Sequence, residues 1–169
     1  SAVLAHNVHP TESELALLAQ RDCAIAHCPS SNAALGSGSF PMRRHVERGI
    51  RFGLGTDVGA GTSFSVLREG LQAFFTQQLL GADGVSLSAA HLLYLATSAG
   101  ARAIGLPDVG DFEVGKRFDA LWIRPTDGST LATALRYAVD ESDVVAKVFA
   151  LAGNADISAV WVDGQRVDA

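Results

Sequence analysis

Three short apolar runs, each closed by a residue able to do chemistry, constrain this 169-residue chain more than any other feature. Val3-Leu4-Ala5 ends in His6, Cys23-Ala24-Ile25-Ala26 ends in His27, and Ile50-Arg51-Phe52-Gly53-Leu54 leads into Asp57. Runs of this length with turn signals behind them read as strands. The first two are separated by a stripe of helical period that follows a Thr11/Glu14 capping box. After His27 comes a polar loop, then a short helix from Met42 to Arg48 with Gly49 as its stop. Strand and helix therefore alternate, which predicts right-handed parallel βαβ units; in a closed barrel of such units the strand C-termini meet on one face. His6, His27 and Asp57 would then be neighbours in space.

The turn that carries Asp57 reads Gly-Leu-Gly-Thr-Asp-Val-Gly-Ala-Gly-Thr over residues 53–62. Gly55, Gly59 and Gly61 let the backbone turn sharply beside a ligand, so Asp57 is expected to point into a pocket. A nucleotide-binding reading fails on register. The dinucleotide fingerprint needs its third glycine at position 58, which is Val58, and a phosphate-binding loop needs a lysine that Gly61-Thr62-Ser63 does not offer. Two alternatives stay open for this chain: a nucleotide-binding α/β segment, and a non-catalytic assembly segment.

Beyond Asp57 the pattern turns helical. Phe64, Leu67, Leu71, Phe74, Phe75 and Leu79 recur at helical spacing from Ser63 to Leu80, with Gly81 as the stop. Ser88 caps a second helix, the small-residue stretch from Ser98 to Ala103 suits close packing, and Leu106-Pro107-Asp108 ends it. Phe118 to Ile123 reads as a strand, residues 126–129 as a polar loop, and Asp163-Gly164 as the turn of a terminal β-hairpin. The expected division is 1–106, an α/β layer, and 107–169, a small β-domain segment with a helical insertion.

Net charge and hydropathy narrow the partners. A net charge of −5 with no basic stripe argues against nucleic acid and anionic membrane surfaces, and no apolar stretch approaches the ~20 residues that span a bilayer. The first residues lack the charged and apolar regions of a signal peptide. Cys23 and Cys28 form neither a Cys-x-x-Cys pair nor a disulfide framework, so a reducing cytoplasm is the expected location.

Four strings in order resemble the amidohydrolase superfamily: Leu-Ala-His-Asn around His6, Ala-His-Cys-Pro-Ser-Ser-Asn over 26–32, Gly-Leu-Gly-Thr-Asp ending at Asp57, and Val-Gly-Lys-Arg-Phe-Asp-Ala over 114–120. Among its branches the chain is most similar to the guanine deaminases. The resemblance implies the C-terminal portion of a metal-dependent (β/α)8 TIM barrel, with His6 ending strand six, His27 strand seven and Asp57 strand eight, plus part of a small β-domain. It implies Zn2+ or another divalent ion, a neutral nucleobase substrate, and hydrolytic release of ammonia from guanine. Related deaminases or chlorohydrolases of other nitrogen heterocycles are the alternative.

The same resemblance implies groups that this sequence lacks. No His-x-His pair is present among the five histidines, nor a further histidine closely followed by the proton-shuttling glutamate. The chain is far shorter than the ~250 residues of a whole barrel. The remainder is expected from the same polypeptide or a companion chain, in a homodimer when complete, and residues 1–169 alone are expected to be inactive and poorly stable.

Within the resemblance Asp57 is implied as metal ligand and proton acceptor, and His6 as a partner of nucleophile and transition state that also serves as a metal ligand. His27, Ser31 and Asn32 are candidates for the substrate pocket, His27 alternatively orienting a loop or hydrogen-bonding Asn32. Cys28 has no identifiable base beside it and is not read as a nucleophile. His9, His45 and His91 are assigned to structure or solvent.

Overall fold

The computed structural model describes residues 2–167; Ser1, Asp168 and Ala169, the outer ends of the two expected segments, lie outside the described residues. The first three strands are β1 (Val3–Ala5), β2 (Ala24–His27) and β3 (Arg51–Leu54). They form a parallel sheet in the order β1-β2-β3, in a register that pairs Leu4 with Ile25 and Ile25 with Phe52. The crossover after β1 is helix α1 (Glu12–Gln20), held by the Thr11/Glu14 capping box; such a cap stabilises a helix by roughly 1 kcal/mol.

The stretch after His27, expected as a loop, contains helix α2 (Pro29–Ala34). Its signal is Pro29 at the first helical position, where the missing N–H costs nothing. Helix α3 (Met42–Glu47) follows and ends at Gly49, whose φ is +66°. Helix α4 (Val66–Leu79) starts later than the spacing predicts, because Ser65 rather than Ser63 takes the cap and accepts from the Arg68 N–H. Phe64 consequently lies outside the helix and is exposed. The buried face of α4 also differs from the expected stripe: it carries Glu69, Gly70, Ala73 and Gln77, whereas Phe75 and Leu79 are exposed. Small residues win that face because a neighbouring aromatic comes close; a Cβ on Gly70 would meet the Phe149 ring at 2.5 Å.

Helices α5 (Ala89–Ala96) and α6 (Ser98–Ala103) follow. The small residues of α6 serve contact with the sheet: a Cβ on Gly53 would lie 2.5 Å from the Gly100 Cα, so β3 and α6 touch backbone to backbone. On the other side of the sheet, Ile25, Phe52 and Leu54 pack into one core with Leu15, Phe40, Met42, Ile50, Leu92 and Leu95.

The second sheet is antiparallel, in the order β4 (Ala120–Ile123), β5 (Ile157–Val162), β6 (Gln165–Val167), with Asp163 and Gly164 at positive φ in the hairpin turn. Between β4 and β5 lie α7 (Thr130–Leu135) and α8 (Glu141–Leu151). Helix α8 packs back on α4 and α5, and its Phe149 belongs to the core of the first sheet. Among the described residues no helix is long and apolar enough to cross a membrane.

Candidate active site

Because the strands run parallel, the residues that follow β1, β2 and β3 emerge at one end of the sheet, and three of them leave it in strained backbone. His6, Asn7 and Asp57 have φ of +66°, +48° and +46°. Such conformations cost an L-residue about 1–2 kcal/mol, less for Asn and Asp, and persist where neighbours enforce them. His6 is held by its N–H to the Ala26 carbonyl (3.0 Å), Asn7 by its N–H to the Ala5 carbonyl (2.8 Å). The Asp57 carbonyl accepts from the N–H groups of Ala60 (3.1 Å) and Gly61 (2.5 Å). Gly61 is required there, since a Cβ would meet the Thr56 carbonyl oxygen at 1.8 Å.

These constraints bring His6 Nε2 to 3.6 Å from Asp57 Oδ2 across the end of β2, with both side chains about one-third exposed. Helix α2 braces the pair. Ser31 Oγ donates to Asp57 Oδ2 at 2.7 Å, and Asn32 Oδ1 pairs with His6 Nδ1 at 2.8 Å. With its Nδ1–H donated to Asn32, the Nδ1–H tautomer of the ring turns its Nε2 lone pair toward a carboxylate oxygen. Two acceptors facing each other call for a cation or a proton between them. Imidazole nitrogen and carboxylate oxygen are ligands that zinc takes. Among the described residues no group of three or more His, Cys, Asp or Glu is placed to hold a metal, so His6 and Asp57 form a partial ligand set.

His27 is placed differently. In the register it pairs with Leu54 and shares the face of Ile25 and Phe52, so it turns into the helical layer and stacks on Phe40 at 4.5 Å. Burial, reinforced by His45 and His6, pushes it down to about 3, so the ring is neutral. Among the described residues neither ring nitrogen finds a partner, and with Asn32 it lines a cavity of about 330 Å3 beside α2. His6, Ser31, Asn32 and Asp57 are thus brought together, and His27 lies behind them. Cys28 is buried, and burial together with the Asp57 and Glu69 charges raises its thiol to about 11, which keeps it from acting as a thiolate.

Two residues at this site were not singled out by chemistry in the sequence. Glu69 is fully buried on α4 and accepts from the Ser30 N–H (3.0 Å) and Ser30 hydroxyl (2.6 Å). Its signal was the spacing Glu69-Ala73-Gln77, a polar-interrupted stripe on one helix face. His45, read as structural or solvated, is fully buried, and its ring nitrogens pair with the Pro41 carbonyl (2.9 Å) and the Asn7 side-chain amide (2.6 Å). Burial lowers its pKa.

Residues 1–167 match the amidohydrolase family. The chain is 60% identical over 164 residues to a probable guanine deaminase of Deinococcus radiodurans, covering 96% of this chain and 37% of that protein. Its structure superposes on guanine deaminase of E. coli with a TM-score of 0.92 at 36% identity, over 98% of this chain and 39% of that one. A second guanine deaminase, from C. acetobutylicum with guanine bound in its active site, gives a TM-score of 0.86 at 29% identity and the same coverages. An adenosine deaminase from Xanthomonas campestris with bound zinc gives 0.79 at 31% identity, over 97% of this chain and 36% of that one. The chain therefore spans well under half the length of the relatives it matches.

Proposed function

The chain belongs to the amidohydrolase family, and from that premise we propose that it carries part of the metal site of a guanine deaminase, on strands that correspond to barrel strands six, seven and eight. The carrying observation is the His6–Asp57 pair, drawn to 3.6 Å from strand ends separated by β2 and braced by Ser31 and Asn32. The guanine deaminase relatives, one with guanine bound, support the substrate. The zinc-bound neighbour and the facing acceptors support a divalent ion, zinc first.

In this reading guanine and water give xanthine and ammonia. His6 and Asp57 would hold the ion, which would supply the positive charge that makes water acidic enough to lose a proton near neutral pH. Asp57 accepts that proton, and the Ser31 hydroxyl fixes which carboxylate oxygen is free to turn toward it. Asn32 fixes the His6 ring so that Nε2 faces the reacting atoms. The oxygen bonds to the carbon bearing the amino group, the C–N bond breaks, and the amine leaves with a proton supplied from outside this chain's own pair.

The exposed edge strand β1, with Val3 and Leu4 half-uncovered, supports a sheet continued by further barrel strands. Residues 107–169 are read as a segment of a small β-domain with a helical insertion, and the complete enzyme as a cytoplasmic homodimer with its cysteines free. The test is ammonia release from guanine by the full-length natural polypeptide, before and after chelation, with adenosine and a chlorotriazine as competing substrates. A folded, zinc-loaded protein that leaves guanine unchanged overturns the reading.

A further inference from the structure

Glu69 is a fully buried carboxyl group that the mechanism above does not use. Among the described residues no lysine, arginine or histidine forms an ion pair with it. Burying such a group without a cation is costly, and it is tolerated only when hydrogen bonds satisfy it. Here both oxygens are spent on one residue, Ser30, through its backbone N–H at 3.0 Å and its hydroxyl at 2.6 Å.

Ser30 occupies the first turn of α2, where backbone N–H groups lack partners inside the helix. Its hydroxyl oxygen also accepts from the Thr62 N–H at 3.4 Å, at the far end of the turn that carries Asp57. One carboxyl group on the longest helix of the first layer thereby grips both walls of the site: α2 and the turn after β3. The two residues that follow Ser30 are the ones that hold the reacting pair, Ser31 on Asp57 and Asn32 on His6. A tilt of α2 would move both braces at once.

We propose that Glu69 is a positioning residue for the deaminase chemistry, clamping Ser30 so that α2 holds Ser31 and Asn32 against Asp57 and His6. This rests on the guanine deaminase reading. Glu69 touches neither substrate nor metal in that arrangement, so its loss acts on alignment. Glu69→Gln keeps the shape but leaves one acceptor where there were two. If the amide oxygen takes the Ser30 N–H, the amide nitrogen faces the Ser30 hydroxyl, whose own hydrogen then loses its acceptor.

The experiment is steady-state guanine deamination by the full-length protein with zinc content measured alongside, for the unaltered enzyme, Glu69→Gln, Ser30→Ala, Ser31→Ala and the Glu69→Gln/Ser31→Ala pair. Glu69→Gln is expected to lower kcat by about tenfold or more, with KM within about threefold and zinc unchanged, as for loss of an interaction made in the transition state. Ser30→Ala should reproduce that split and carries the test if Glu69→Gln does not fold. In the double variant the loss should be smaller than the product of the single losses, because both act through α2. An active unaltered enzyme whose Glu69→Gln or Ser30→Ala form keeps its kcat, or loses zinc in proportion to rate, overturns the positioning role alone. An unaltered, zinc-loaded enzyme inert toward guanine overturns the deaminase reading, and this role with it.

Discussion

The two sheets of this molecule place strain and polarity very differently. In the antiparallel sheet β4-β5-β6, the positive φ of Asp163 and Gly164 is what a two-residue hairpin turn demands. In the parallel sheet β1-β2-β3, the positive φ of His6, Asn7 and Asp57 serves no hairpin and is imposed by hydrogen bonds from other elements. Among the described residues, seven of the eight buried polar or charged ones lie on the parallel side, from His27 to Gln77, and only Asp156 lies on the other. Asp156 is accounted for locally, accepting from the Thr126 N–H (3.2 Å) and Gly153 N–H (2.9 Å). The antiparallel sheet is held instead by aromatic contacts among Phe112, Phe118, Trp122 and Trp161. A polar core costs stability unless its geometry is needed, which supports placing the proposed chemistry on the parallel side.

The comparison breaks most visibly at Asp57. Asp57→Asn in the full-length enzyme removes the charge that would hold the ion and the base that would take the proton, and it offers Ser31 a weaker acceptor. Turnover of guanine is expected to fall by at least ~100-fold, within the range of a general-base contribution. Near-normal turnover in a folded, metal-loaded Asp57→Asn protein would move the chemistry away from this sheet.

His6→Ala tests the other half of the pair. It removes a ligand and the ring that Asn32 orients, while Asp57 keeps Ser31. We expect turnover to fall at least ~10-fold and more steeply than zinc content, which measurement of rate beside metal stoichiometry reads directly. Complete loss of metal with this single change would make His6 an essential ligand rather than chiefly a partner of the reacting atoms.

The alternation of apolar runs with capped helices was enough to read the parallel sheet, and the Asp163-Gly164 hairpin was equally plain, because both rest on local signals. That His6 and Asp57 come together was legible for the same reason: each follows an apolar run that becomes a strand of the parallel sheet. What the sequence did not disclose depends on distant contacts. The stripe of α4 looked like Phe64 to Leu79, yet the close approach of Phe149 gives the buried face to Gly70 and Ala73 and carries Glu69 inside with them. His27 looked like His6, since each closes an apolar run; His27 stays within β2 on the face of Ile25 and Phe52, whereas the positive φ of His6 turns its ring out of the strand, and that backbone difference separates their roles.

The antiparallel side supplies the control. Trp161 stacks edge-on with Phe118 and lies near Trp122, far from any residue of the site in sequence and hydrogen bonding. Trp161→Ala should lower unfolding stability by about 1–3 kcal/mol through lost aromatic contact and burial. The kcat of the remaining folded protein should stay within about twofold. A tenfold loss of kcat with intact folding would mean that this sheet shapes the site after all.

The smallest effect at neutral pH is expected at His27, and it sharpens the comparison through acid sensitivity. The ring is buried, stacked on Phe40 and, among the described residues, without partners for either nitrogen, and burial depresses it from 6.5 to about 3. Below pH 6.5 the unfolded chain binds a proton at this residue that the folded protein refuses until about pH 3. Stability is therefore lost as pH falls through that window, at about 1.4 kcal/mol per pH unit, and nothing is contributed above it. His27→Phe keeps an aromatic ring against Phe40 and removes the proton. Unfolding by urea at pH 7.5 should barely separate the two full-length proteins. At pH 5.0 the variant should gain about 2 kcal/mol on the unaltered protein. His45, depressed in the same direction by its own burial, leaves a residual slope in both. Equal pH dependence in the two proteins would mean that His27 titrates as it does in water, and the polar interior behind the site would have to be redrawn.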